Sequence, residues 1–182
     1  MDNTFLDNLE FLERHIRENP DEFWNAHIDD GKIILLTICK VHGYMYEFAS
    51  KKLKADKDII ETALSSCGEI LEKVPLIYRF NPYYVNLAVC NNGLALRFAP
   101  WVLQNDKDIV LKACNNNGKA FLYASKRLKN DKDVAYIACK TYEKAVYYFG
   151  DDLINDKNFM DKLRAENKKI AEYMDKNNEL IK

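Results

Sequence analysis

DKDIVLKACNNNGKAFLYASKRLKN, residues 106–130, is the stretch that decides how this chain folds. Residues 31–55 read GKIILLTICKVHGYMYEFASKKLKA, and ten of the 25 positions agree without a gap: Lys, Ile, Leu, Cys, Gly, Ala, Ser, Lys, Leu and Lys. Agreement at a fixed period marks a repeat architecture, and a repeat has to be recognised before any other feature is read. Between these two copies lie 56–80 and 81–105, and after them 131–155 and 156–180. Residues 6–30 fit the frame weakly, with Phe23 falling where Phe48 falls. The chain of 182 residues thus holds about seven units.

Reading down the columns of the unit turns the repeat into structure. Columns 4, 5, 8 and 9 are apolar, as in Ile109, Val110, Ala113 and Cys114. That spacing is one face of a helix. Columns 15, 16, 19 and 23 are apolar again, as in Ala120, Phe121, Ala124 and Leu128, and predict a second helix. Gly43, Gly68, Gly93 and Gly118 stand at column 13 between them, and a glycine at positive φ is the expected hinge. Asp56, Asp106 and Asp131 open their units and are expected helix caps. A helix of about ten residues is marginal alone in water. Stacked in register, such pairs bury both apolar faces. The expectation is an all-α chain, an α-solenoid in one domain over 1–182. Residues 1–30 form an atypical N-terminal cap around Leu9, Phe11, Leu12 and Ile16, 31–155 the regular repeats, and 156–182 a polar C-terminal cap ending in Lys176-Asn177-Asn178-Glu179.

Composition narrows the function. Lys+Arg (27) and Asp+Glu (28) nearly cancel, so no whole-protein field steers nucleic acid or an anionic membrane. The sequence has no run of 18 apolar residues, and Met1–Asp7 lacks the basic and apolar regions of a signal peptide, so the expected location is cytoplasmic. Five cysteines without a C-x-x-C pair argue against disulfides and zinc. Cys39, Cys114 and Cys139 share column 9 and read as small buried hydrophobes.

The pattern carried by Asp106, Asp108, Ala113, Gly118, Ala120, Ala124, Ser125, Leu128, Asn130 and their column equivalents resembles the family called domain of unknown function 4116. The resemblance implies a short helical repeat and no activity. Asn81-Pro82-Tyr83, where Asp-Lys-Asp is wanted, and Glu143, where glycine is wanted, depart from it.

No catalytic set emerges. His15, His27 and His42 fall in columns 10, 22 and 12 and share no face; each reads as a surface or loop histidine. Ser50 and Ser125 recur only because the unit recurs. The paired aspartates read as caps rather than a cation site, and no cofactor is expected. Lys51-Lys52-Lys54-Lys57 and Lys126-Arg127-Lys129-Lys132 could line one edge for a single strand of RNA or DNA. The middle copies interrupt that stripe with Leu76-Ile77 and Pro100-Trp101-Val102.

Residues that break the template with aromatics or arginine are the candidate partner-binding set: Tyr78, Arg79, Phe80, Tyr83, Trp101, Tyr136, Tyr142 and Tyr147. Tyr, Trp and Arg dominate interface energies. The leading expectation is a non-catalytic module that binds another protein, an inhibitor, immunity factor or adaptor, such as a phage- or mobile-element-encoded blocker of a host enzyme. The alternatives are a nucleic-acid-binding repeat and an enzyme with a cleft near Arg79, Tyr83 and Arg97.

Overall fold

Each unit from residue 31 onward opens with an α-helix: Gly31–Val41, Lys57–Ser66, Pro82–Asn91, Lys107–Asn116 and Lys132–Thr141 in the regular repeats, and Lys157–Glu166 in the C-terminal cap. The computed structural model describes residues 3–180, with side chains described over 8–175, so the polar end at Lys176–Glu179 falls outside the described side chains. The described residues form α- and 3₁₀-helices and no strand.

The aspartates cap these helices as their position requires. Asp106 Oδ1 accepts from the N–H groups of Asp108 and Ile109 at 3.0 and 3.1 Å, and Asp56 and Asp131 do the same. Where the motif lapses, Asn81 accepts from Tyr83 N at 2.9 Å and Pro82 occupies the first turn, where its missing N–H costs nothing. The departure therefore leaves the helix start intact.

The second half of the unit corrects the two-helix expectation. It is a short 3₁₀ turn, as in Gly93–Phe98, then an extended corner, then a helical turn of only four residues, as in Trp101–Gln104. The corner is at column 19, where Ala49, Ala99 and Ala124 have ψ near 150°. At column 20 follows Ser50, Pro75, Pro100, Ser125 or Gly150. Ser50 caps its four-residue turn by accepting from Leu53 N, Ser125 accepts in the same way from Leu128 N at the start of the three-residue 3₁₀ turn Leu128–Asn130, and proline fixes φ for the same extended approach through its ring. The apolar columns 15, 16 and 19 fit a 3₁₀ turn plus corner as well as they fit an α-helix, which is why spacing misled.

The first helices from Gly31–Val41 to Lys132–Thr141 pack side by side in succession, and the 3₁₀ turns follow in register. The glycines make this possible, though not through positive φ: no described residue has one. A Cβ at Gly68, Gly93 or Gly118 would lie 2.3 Å from the carbonyl oxygen of Ala88, Ala113 or Ala138 in the next unit. Glycine is there so that two backbones can touch.

Column 11 then ties the units together. Asn116 donates to Cys90 O at 2.9 Å and accepts from Gly93 N at 2.7 Å, and Asn91 bonds Ser65 O and Gly68 N in the same way. Ser66 and Thr141 donate to Cys39 O and Cys114 O. Lysine at column 2 reaches the next unit's cap: Lys107 lies 2.9 Å from Asp131 and 2.6 Å from Asp133, and Lys32 pairs with Asp56 and Asp58. Asp-Lys-Asp is thus a cap and an inter-unit clamp in three residues.

One hydrophobic core runs from Leu9 to Met174. Cys39, Cys114 and Cys139 are buried in it, and burial pushes each thiol up to about 12, which keeps it protonated and unreactive. The ends differ from the middle. Residues Asn3–Glu18 form one long helix followed by Pro20–Ala26, with Leu9 and Ile16 buried and Phe11 exposed. In the last unit Lys168 opens a continuous helix, Lys168–Leu180, where other units have the 3₁₀ turn.

Candidate functional site

The short third elements, four-residue turns except the three-residue Leu128–Asn130, line one edge, and columns 21 and 22 of every unit over 31–155 are exposed there. Along the stack the exposed pairs read Lys51-Lys52, Leu76-Ile77, Trp101-Val102, Lys126-Arg127 and Asp151-Asp152. Two adjacent units place apolar pairs where their neighbours place charge. Ile77 is 78% exposed, Trp101 75% and Leu76 61%. Side chains that large are normally folded inward, and their exposure in two neighbouring units makes this edge the candidate surface.

The third elements differ in how they are tied to one another. Ser125 N donates to Gln104 O at 3.0 Å and Gly150 N to Lys129 O at 2.9 Å, which ties each of these third elements to the one before it. Pro75 and Pro100 carry no N–H and cannot make that bond. The two proline-led elements are the two that carry the apolar pairs.

The aromatic candidates fall into two groups. Phe80 and Tyr83 are exposed beside Leu76 and Ile77. Tyr78 sits in the leucine column, half-buried, with its hydroxyl donating to Ala55 O at 2.9 Å and its ring edge-on to Tyr84. It packs the junction while Phe80 faces solvent. Arg79 is half-buried, and its Nε has no hydrogen-bond partner. The second group touches other units: Tyr136 lies under Lys162, Tyr142 under Lys119, and Tyr147 is edge-on to Tyr173. Glu166 beside Tyr136 holds that phenol above its ordinary range. The residues of the alternative cleft are engaged separately. Tyr83 stacks edge-on against Tyr84, with Glu61 raising its phenol, while Arg97 lies 4.3 Å over Phe98 and 3.9 Å from Glu69.

Compared with known families, residues 32–79, 81–129 and 106–154 each match the domain of unknown function DUF4116. The chain belongs to the DUF4116 family. No curated protein and no solved structure matches it. The three matches run across the regular repeats of this DUF4116 chain, the second and third overlapping, and both apolar pairs lie within them.

Sequence reasoning missed one polar network in the DUF4116 chain. Glu13 is the single charged side chain buried among the described residues. It accepts from Tyr44 OH at 2.9 Å, bonds His42 Nδ1 and lies 3.4 Å from Arg17. His42, in the loop between Gly31–Val41 and Gly43–Phe48, is therefore also a partner that fastens the N-terminal helix to the first regular unit. A glutamate in column 8, where every later unit is apolar, was the available signal. His27 bonds Asp30, and His15 stacks on Phe11. Among the described residues no group of three or more His, Cys, Asp or Glu is placed to hold a metal, and no helix is long and apolar enough to cross a membrane.

Proposed function

We propose that this chain is a non-catalytic α-solenoid of about seven units, ends included, that binds another protein and acts by covering part of that protein's surface. An inhibitor, an immunity factor and an adaptor are all forms of this activity. The observation that carries the reading is the exposed apolar group Leu76, Ile77, Phe80, Trp101 and Val102 on an edge otherwise charged. Large apolar side chains rimmed by polar ones are how a soluble module gains affinity.

The basic side chains favour protein over nucleic acid as the partner. Lys32, Lys107 and Lys132 are paired with aspartates of the next unit. Arg127 is bound to Asn105, and Lys129 donates to Leu122 O at 2.8 Å. Those cations already have partners within the chain, and the apolar pairs break what is left of the stripe. Cross-linking affinity purification from the native host, run with the natural chain and with a Leu76→Ser/Trp101→Ser variant, tests the reading. Recovery of the same protein by the natural chain alone supports it. Recovery of RNA in its place, lost as salt rises, overturns it.

A further inference from the structure

The order of charge along the edge says more than its greasiness. The third elements over 50–55, 75–80, 100–105 and 125–130 contain seven basic side chains, Lys51, Lys52, Lys54, Arg79, Lys126, Arg127 and Lys129, and no acidic one. Over 150–155 the sign reverses: Asp151 and Asp152 are the only charged residues. The edge therefore runs basic, apolar, apolar, basic, acidic. None of Lys51, Lys52 and Lys126 appears in an ion pair among the described residues, so their charge is available to a partner.

Resting on the protein-binding reading above, we infer that this edge takes an acidic segment of a partner protein, with apolar side chains flanked by carboxylates. Leu76, Ile77, Trp101 and Val102 receive the apolar side chains, and Lys51 and Lys52 on one side and Lys126 on the other receive the carboxylates. The length follows from the stack. Helices pack about 8–10 Å apart, so three steps from Lys51 to Lys126 cover roughly 30 Å. A helix of about 20 residues spans that distance. Asp151 and Asp152 repel carboxylates beyond the basic pair, and so fix which way the segment lies.

Other occupants fit this order less well. An anionic bilayer meets a whole edge at once and gains nothing from two aspartates at one end. Single-stranded RNA gains from the lysines, but its phosphates repeat at every nucleotide, with no break to match the apolar stretch. A second copy would have to set its aspartate pair against these lysines, a head-to-tail contact that does not close.

Panning a displayed library of random 20-residue peptides against the full chain tests the inference. The expected result is enrichment of peptides with net negative charge and at least two large apolar residues. Synthetic copies should bind at least about tenfold more weakly to the Leu76→Ser/Trp101→Ser variant and to Lys51→Glu/Lys52→Glu/Lys126→Glu. All five substituted positions are solvent-exposed, and far-ultraviolet circular dichroism confirms that both variants keep the fold. Enriched peptides that are neutral or basic, or that bind the variants unchanged, overturn the assigned edge while leaving protein binding in place. No enrichment, with binding to poly(U) or to phosphatidylserine vesicles, removes both readings. Concentration-dependent assembly in sedimentation equilibrium that Asp151→Lys/Asp152→Lys abolishes overturns the inference in favour of a second copy.

Discussion

The seam between units and the edge that the third elements form are made from the same repeat, yet they follow opposite rules. At the seam, Gly68, Gly93 and Gly118 meet the carbonyls of Ala88, Ala113 and Ala138 at one common separation, and Asn91 and Asn116 make the same pair of bonds. At the edge, columns 21 and 22 pass from lysine through leucine, isoleucine, tryptophan and valine to aspartate. The seam is backbone against backbone, so any added atom has nowhere to go. The edge is side chain against water, so composition there is free to answer to a partner.

That contrast can be broken at graded points. Leu128 is fully buried, and Leu128→Ala should destabilise by about 2–5 kcal/mol in chemical denaturation. Asn116→Ala strands the Gly93 N–H and the Cys90 carbonyl, and should cost about 1–3 kcal/mol by the same assay. Gly93→Ala sharpens the reason for glycine. With φ in the ordinary range, conformation alone would let alanine stabilise by about 0.4–1 kcal/mol. Steric contact with Ala113 predicts a loss of about 1–3 kcal/mol instead, so the sign of the change in denaturation midpoint decides between the two causes.

The Asp-Lys-Asp clamps make a smaller, pH-dependent contribution. Burial pushes the Asp131 carboxyl up, but the Lys107 ammonium and the N–H groups of Val134 and Asp133 outweigh it and hold the group below its ordinary 3.8. A depressed carboxylate stabilises the fold above its unfolded pKa, and that stability is lost as pH falls through the folded value. Melting temperature should therefore decline below about pH 4. Asp131→Asn, which keeps a cap but removes the titrating group, should make the decline shallower. The smallest effect belongs to the edge. Ile77→Ser and Trp101→Ser should each change stability by less than about 0.5 kcal/mol, because both side chains already face water. A large loss at either position would mean that the edge is packing rather than a docking surface.

How far the sequence could be read depends on the kind of contact. Ile109, Val110, Ala113 and Cys114 were legible as a buried face because one helix sets their spacing. Trp101 was legible as an outlier, but its neighbourhood with Leu76, Ile77 and Val102 was not read as a surface. The same substitutions look like a broken basic stripe until the structure shows all four side chains exposed on neighbouring units. Tyr78 looked like a docking residue and proves half-buried in the leucine column, and Tyr136, Tyr142 and Tyr147 belong to a different part of the stack.

By itself the sequence determined the 25-residue period, the first helix of each unit, its aspartate cap and the columns that go inside. Those are consequences of local hydrogen bonding and of helical periodicity, which act within one unit. Only the tertiary structure decided that the second half is a 3₁₀ turn and a corner, that glycine serves a backbone contact at negative φ, and that Glu13 and His42 hold the N-terminal helix. Each of these depends on atoms of a neighbouring unit or on a corner that α-helical spacing imitates, and neither is written in the order of residues within one copy.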